Sequence, residues 1–188
     1  MELQAFLGAG ALPAIGSDGL ALRVLRRQDA SDWYAYLRDP AVTRHTSWWL
    51  AGVADLEQLI TACLAGQPAG PVRLAIADTA SDRLRGTIGF NEISAPHQRA
   101  EIAYDLAPEL WNRGIASRAC AAVAAWALGS LGLQRVQATV LDSNLASRRV
   151  LERAGFHAEG LLAAYRVVRG EPRDFWMYAR TRDARPRR

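Results

Sequence analysis

The feature that most constrains the fold is a strand, a glycine turn and a helix in immediate succession. Residues 100–106 have the composition of a strand, Pro108 breaks it, and Gly114 precedes a helical pattern. The apolar positions of that pattern are Ala116, Cys120, Val123, Ala127 and Leu131. A second strand-like segment follows at 135–140. Two strands joined through a helix form a right-handed parallel crossover, so the chain requires a sheet with one parallel pair.

The rest of the chain alternates helical and strand-like segments separated by turn residues. Helices are predicted at 29–37, 53–65, 116–131 and 145–154. Asp29 is a candidate N-cap of the first helix, and Asp39-Pro40 closes it. Strands are predicted at 20–25, 72–78, 85–93, 99–106, 135–140, 161–168 and 174–180, with a turn at 170–172. The predicted fold class is α/β (α+β), a mixed, mostly antiparallel sheet with one parallel pair, flanked by helices.

The composition is that of one folded domain. The chain has 188 residues, half of them hydrophobic and 22% charged. Its net charge is +4, and its 23 basic residues are all arginines spread along the chain, so no nucleic-acid-binding face is indicated. No run reaches the roughly 18 apolar residues of a membrane span. We expect a domain over 20–182, with an arm at 1–19 and a basic tail at 183–188.

The expected location is cytoplasmic. Residues 1–19 are apolar and glycine-rich but carry no basic residue before the apolar part, unlike a signal peptide. Cys63 and Cys120 lie in apolar helical stretches and share no motif with other metal ligands. This pattern predicts buried, reduced thiols and no metal site.

The stretch from Trp111 to Ser117 has the pattern of a phosphate cradle at the start of a helix. Small residues at 114 and 116 let the backbone approach a ligand, and Arg113 adds a positive charge. The unpaired N–H groups of a first helical turn point at an anion, which the helix dipole also favours. By itself the pattern is equally typical of a simple turn before a helix.

A second group of candidate residues begins at Asn144, at the end of the neighbouring strand. Asn144 is placed to cap the helix 145–154, and Ser147 lies one turn into it. Both helix starts therefore face the same end of the sheet. Taken alone, Asn144 is as well explained as a plain N-cap, and Ser147 as a solvated hydroxyl.

Together the two groups resemble the GNAT superfamily of acetyl-CoA-dependent N-acetyltransferases, and within it the Rim-type branch that acetylates the N-termini of ribosomal proteins. The resemblance covers about residues 20–182. It is carried by these segments: Leu22–Arg26 followed by Asp29-Ala30, Arg85–Phe90, Ala100–Tyr104, Trp111–Ser117, Asn144–Phe156 and Arg173–Tyr178.

The resemblance implies a cosubstrate, acetyl-CoA, and residues that hold it. Its pyrophosphate would bind the backbone amides of Arg113, Gly114, Ile115, Ala116 and Ser117. The backbone around Leu106 would pair with pantetheine where the two parallel strands splay. Asn144 would contact the cofactor arm, and Ser147 would donate a proton to the leaving thiolate.

The chain departs from the family pattern at two positions. Trp111 stands where the superfamily commonly has Gln or Arg, although the Rim-type branch often has an aromatic residue there. Arg166 stands where some members of that branch carry a glutamate base, and arginine cannot act as a base at ordinary pH. It is instead a candidate contact for an acidic acceptor.

Three residues remain as candidates for the general base. Glu101 is the first, directly or through water, but it is also explained as a structural carboxylate paired with Arg99 or Arg118. Glu92 and His45 are the second and third. Trp48 and Trp49 are candidates for the wall of an acceptor pocket, or for space-filling under a loop.

The acceptor is expected to be an amine of low pKa. An α-amine has a pKa of about 8 and is roughly one-tenth neutral at pH 7, whereas lysine, at about 10.4, is almost entirely charged. A site with a weak base therefore favours a protein N-terminus over lysine, with proximity contributing much of the rate. The alternatives are a small-molecule amine and a non-catalytic acetyl-CoA-binding protein. A second copy of the chain is a candidate partner.

Overall fold

A computed structural model describes residues 11–16, 19–46, 50–65 and 70–182. Its helices are α1 (Asp29–Leu37), α2 (Pro40–Thr43), α3 (Val53–Ala65), α4 (Ile115–Gly129) and α5 (Leu145–Arg153). A single 3₁₀ turn covers Pro108–Leu110. Its strands are β1 (Leu20–Val24), β2 (Val72–Asp78), β3 (Leu84–Ser94), β4 (Arg99–Leu106), β5 (Arg135–Leu141), β6 (His157–Val168) and β7 (Glu171–Thr181).

The strands form one sheet in the order β1-β2-β3-β4-β5-β7-β6. All neighbours are antiparallel except β4 and β5, which are parallel and joined through α4. This confirms the mixed sheet and the crossover predicted from residues 100–140. The parallel pairing extends only from Arg99↔Arg135 to Glu101↔Gln137. Beyond Glu101 the two strands separate and leave an opening in the sheet.

Helices cover both faces of the sheet. Successive strand residues point to opposite faces, and apolar side chains occur on both of them, so each face needs a covering layer. On one face, Trp33 of α1 and Leu56 and Ile60 of α3 pack against Ala75 of β2. The other face packs under α4 and α5 and includes these buried residues: Ile88, Phe90, Ile102, Val123, Ala127 and Leu151. Each fully buried large apolar side chain contributes roughly 1.5–3 kcal/mol.

The start of α1 corrects one predicted cap. The N-cap is Gln28, and Asp29 is already the first helical residue. The Asp29 carboxylate accepts instead from the backbone N–H of Arg26 at 2.7 Å and from the Arg23 guanidinium at 2.8 Å. Asp39 does more than close α1, because it accepts from the Ala41 N–H and caps α2.

The final hairpin is longer than predicted. β6 begins at His157, where the sequence lacks β-branched and aromatic residues and pairing with Ala179 forms the strand. The turn lies at Arg169-Gly170, so Glu171 and Pro172 belong to β7. Pro172 is tolerated because it precedes Phe175–Thr181, the part of β7 that pairs with β5.

Two further properties concern the cysteines and the length of the helices. Cys63 and Cys120 are both free and buried, which agrees with the prediction. Burial raises the pKa of the Cys120 thiol to about 12, so this side chain is an inert part of the core. Among the described helices, none is both long and apolar enough to cross a membrane.

Candidate active site

The opening between β4 and β5 leads into a cavity of about 150 Å³. Its walls come from β4, β5, the start of α5, the final hairpin and the segment after α2. The lining includes five residues that the sequence singled out: His45, Glu101, Asn144, Ser147 and Arg166. It also includes Tyr104, Asp105, Arg73 and Thr139, which the sequence did not single out.

The glycine turn before α4 has the geometry that an anion cradle requires. Gly114 is the N-cap of α4, with a left-handed φ of 71° and no side-chain cap. The first helical hydrogen bond runs from the Arg118 N–H to the Gly114 carbonyl, so the N–H groups of Ile115, Ala116 and Ser117 have no partner one turn back in the helix. These groups, with the positive end of the helix dipole, fit a pyrophosphate.

Arg118 adds a positive charge to this turn. The sequence had suggested this residue only as a partner of Glu101. Its guanidinium donates to the Arg113 carbonyl at 3.3 Å. A Cβ placed on Gly114 would lie 3.1 Å from the same guanidinium. The side chain therefore folds over the turn, where a cation suits a bound phosphate.

Leu106, at the end of β4, is tied to the turn that follows it. Its carbonyl accepts a hydrogen bond from the Trp111 indole at 2.7 Å. This gives the Trp111 side chain a structural role, because the indole links the end of β4 to the segment that leads into the cradle. The predicted contact of the Leu106 backbone with pantetheine stays a prediction.

Asn144 and Ser147 occupy the opposite side of the opening. The Asn144 side chain accepts from the Ser147 N–H at 3.1 Å and so caps α5, as predicted. The Ser147 hydroxyl is not simply solvated, because it lies 2.8 Å from the Tyr104 hydroxyl on β4. Tyr104 thus bridges the opening beyond the last paired residues of the parallel ladder.

Glu101 is buried at the point where the two strands separate, with 7% of its surface exposed. Its Oε1 accepts from the Thr139 hydroxyl and from the Arg166 guanidinium, both at 3.0 Å. The predicted pairing with Arg99 or Arg118 was therefore wrong in its partner, because the carboxylate pairs with Arg166 of the edge strand β6, which β7 separates from β5. Within the described residues, Oε2 has no hydrogen-bond partner.

Arg166 is held in place by more than this ion pair. Its guanidinium lies 5.1 Å from the centre of the Tyr165 ring and 5.5 Å from that of Phe175. Burial opposes the charge of Arg166, but the hydrogen bond and the charge of Glu101 raise the pKa of the guanidinium above its usual value. Arg166 is thus a permanent cation on the wall of the cavity.

A second ion pair forms the floor of the cavity. Asp105 accepts from Thr87 at 2.7 Å, from the Trp33 indole at 3.1 Å and from the Tyr36 hydroxyl, and it faces Arg73 at 3.4 Å. Burial raises the pKa of Asp105, while Arg73 and these donors oppose the rise. No short motif marks this network, because its members come from α1 and three strands.

The two weaker base candidates have different environments. Glu92 pairs with Arg99 at 3.0 Å and does not line the cavity. His45 does line it, with Nδ1 3.4 Å from the Ser143 hydroxyl. Burial, with the charges of Arg44 and two further arginines, lowers the pKa of the imidazole, so the ring is neutral at pH 7. Trp48 and Trp49 lie outside the described residues.

Comparison with protein families identifies this arrangement. Residues 20–157 match the family model described as an acetyltransferase (GNAT) domain. The chain belongs to the GNAT acetyltransferase family. It is 36% identical over 172 residues to the uncharacterized N-acetyltransferase YoaA of Bacillus subtilis, a match that covers 89% of this chain and 96% of that protein. This GNAT protein is therefore an acetyl-CoA-dependent N-acetyltransferase.

Solved structures of similar fold act on different amines. The ribosomal-protein-S5-alanine acetyltransferase from Vibrio fischeri superposes with a TM-score of 0.78 at 19% identity, covering 90% of this chain and 97% of that one. A spermidine N-acetyltransferase from Vibrio cholerae, crystallised with CoA and spermine, gives 0.77 at 21% identity over 88% and 97%. These likenesses confirm the fold and do not identify the acceptor.

Proposed function

We propose that this acetyltransferase moves acetyl to the α-amine of a protein N-terminus by direct attack on the thioester. One observation carries the choice of acceptor, namely the charge of the cavity. Its described lining holds two carboxylates, Glu101 and Asp105, and each faces an arginine. With His45 neutral, the lining has no surplus negative charge to bind a polycation such as spermidine.

The cavity instead suits an amine that reaches it uncharged. Roughly a tenth of an α-amine with a pKa of about 8 is neutral at pH 7, which is far more than for a lysine. Such an acceptor needs only a weak base close to the reacting nitrogen. Glu101 Oε2 fits this role, because its carboxylate is fixed at Oε1 by two donors and lines the cavity.

The reaction then divides between the two sides of the opening. The amide N–H groups of Arg113–Ser117 and the Leu106 backbone hold the donor, with Asn144 against its arm. The amine nitrogen bonds to the acetyl carbon and gives up a proton to Glu101, directly or through water. The C–S bond breaks, its electron pair stays on sulfur, and the Ser147 hydroxyl supplies the proton that makes the free thiol.

The test measures CoA release by the full chain with a panel of acceptors. The matched pair is one peptide with a free N-terminus and an internal lysine, and the same peptide with its N-terminus blocked. Spermidine and small primary amines complete the panel. We expect turnover of the free peptide and at least ten-fold less of every other acceptor. Faster turnover of spermidine, of a small amine or of the blocked peptide would overturn the proposed acceptor.

A further inference from the structure

Tyr104 and Ser147 form a hydrogen-bonded pair across the gap in the sheet. The Tyr104 oxygen lies 2.8 Å from Ser147 Oγ and 3.2 Å from the Ser147 carbonyl oxygen. The serine backbone is itself fixed, because its N–H donates to the Asn144 side chain at 3.1 Å. Both residues line the cavity. The pair is therefore a built feature of the site, formed by residues 43 positions apart.

The direction of this hydrogen bond decides what the serine can do. Each hydroxyl has one proton to donate and can also accept, and the phenol can donate its proton either to Ser147 Oγ or to the Ser147 carbonyl oxygen. When Tyr104 donates to Ser147 Oγ, the serine proton turns away from the tyrosine and is available to another acceptor in the cavity. The same phenol proton stabilises negative charge on the serine oxygen as that proton leaves.

We propose that Tyr104 is a positioning residue, which directs the Ser147 proton toward the leaving sulfur and supports the serine oxygen during the transfer. This rests on the proposed role of Ser147. As the C–S bond breaks, sulfur keeps the electron pair and takes the serine proton, while the tyrosine hydrogen bond to the serine oxygen strengthens. After CoA leaves, the proton that Glu101 took from the amine returns through water to the serine oxygen, which restores both groups.

Tyr104 does not itself protonate the sulfur in this sequence. Its side chain is partly exposed to the cavity on one side and packs against the core under α4 and α5 on the other. Burial, with the neighbouring Cys120, raises the pKa of the phenol well above its usual value. A phenolate is therefore disfavoured, and the tyrosine acts by donating a hydrogen bond.

The test is a double-mutant cycle of Tyr104→Phe and Ser147→Ala, measured as kcat with the best acceptor and saturating acetyl-CoA. We expect Y104F to lower kcat about ten-fold, which is the effect of one lost hydrogen bond to a developing charge, and to leave the KM for acetyl-CoA within about two-fold. In the S147A background, Y104F has no further effect, because the tyrosine acts only through the serine.

Tyr178→Phe is the matched control. Tyr178 is likewise a tyrosine with a bonded hydroxyl, which donates to Glu152 at 3.0 Å, but it is fully buried and does not line the cavity. Its loss should leave kcat unchanged. The inference is overturned if Y104F leaves kcat unchanged while S147A lowers it, or if the two losses multiply, as expected of a structural role. If S147A leaves kcat unchanged, the proposed role of Ser147 is wrong, and the role inferred for Tyr104 is wrong for the same reason.

Discussion

Arg166 donates to Glu101 across the opening in the sheet, and the two side chains come from strands that are not neighbours. Arg166 lies on the edge strand β6, whereas Glu101 is the last residue of β4 that pairs with β5. The ion pair places a fixed cation beside the carboxylate that we propose as the base. Whether this carboxylate accepts the proton is the first point to test.

Glu101→Gln should lower kcat for a peptide α-amine about 100-fold at pH 7, since a positioned base commonly contributes this much or more. The loss should shrink as the pH approaches 9, because an amine with a pKa of about 8 then arrives already neutral. The measurement is CoA release against pH for both proteins.

Glu92→Gln is the control, because Glu92 also pairs with an arginine but lies outside the cavity lining. It should leave the whole pH profile unchanged. His45→Gln distinguishes the remaining candidate. If that substitution removes more activity than E101Q at pH 7, the base is the imidazole and the role proposed for Glu101 is wrong.

The cradle gives a prediction that separates binding from stability. Gly114→Ala forces a side chain into the left-handed region at φ 71°, which costs roughly 1–2 kcal/mol. Gly132→Ala meets the same penalty at φ 69°, where no described atom lies within 4 Å of the added Cβ. Both variants should lose about 2–8 °C in Tm. Only G114A should also weaken acetyl-CoA binding, by about ten-fold or more in titration calorimetry. Equal affinities of the two variants for acetyl-CoA would mean that the turn at Gly114 does not bind the donor.

The buried pair at the floor predicts how stability depends on pH. Burial raises the pKa of Asp105 above its ordinary value of 3.8. Between 3.8 and the raised pKa, this carboxyl therefore binds a proton more tightly in the folded protein than in the unfolded chain. This carboxyl therefore lowers the free energy of unfolding as the pH rises above 3.8. Asp105→Asn should remove that decline. The same substitution takes away the carboxylate that faces Arg73, which should lower the free energy of unfolding by about 3 kcal/mol at every pH where Asp105 is ionised in the wild type.

Asp32→Asn is the control of opposite sign in the same denaturant titrations. The hydrogen bond from Arg83 lowers the pKa of Asp32, so its carboxylate stabilises the fold above 3.8 and loses that contribution as the pH falls. D32N should therefore flatten the curve on its acid side. A D105N curve with the same pH slope as the wild type would show that Asp105 does not titrate as described.

The parts of the site that the sequence predicted are those with a local signal. Gly114 stands directly before a helical pattern, and Asn144 caps the helix that carries Ser147, so both helix starts were recognisable within a few residues. The contacts that it missed join distant segments. Arg166 meets Glu101 at a separation of 65 positions, and Asp105 meets Trp33 at 72. Such pairs depend on strand order and register, which hydrophobic periodicity leaves open.

We expect Arg166 also to influence which amines enter the cavity. A unit charge about 4 Å from a second one in water contributes about 1 kcal/mol, or roughly five-fold in kcat/KM. Arg166→Gln removes a cation from the acceptor side and leaves the Glu101 charge unbalanced there, so turnover of spermidine should rise at least five-fold relative to a neutral peptide. Arg99→Gln is the matched control, since Arg99 also pairs with a glutamate at 3.0 Å but lies outside the cavity lining, and should leave the ratio unchanged. An unchanged ratio in R166Q would mean that the charge balance of the cavity does not select the acceptor.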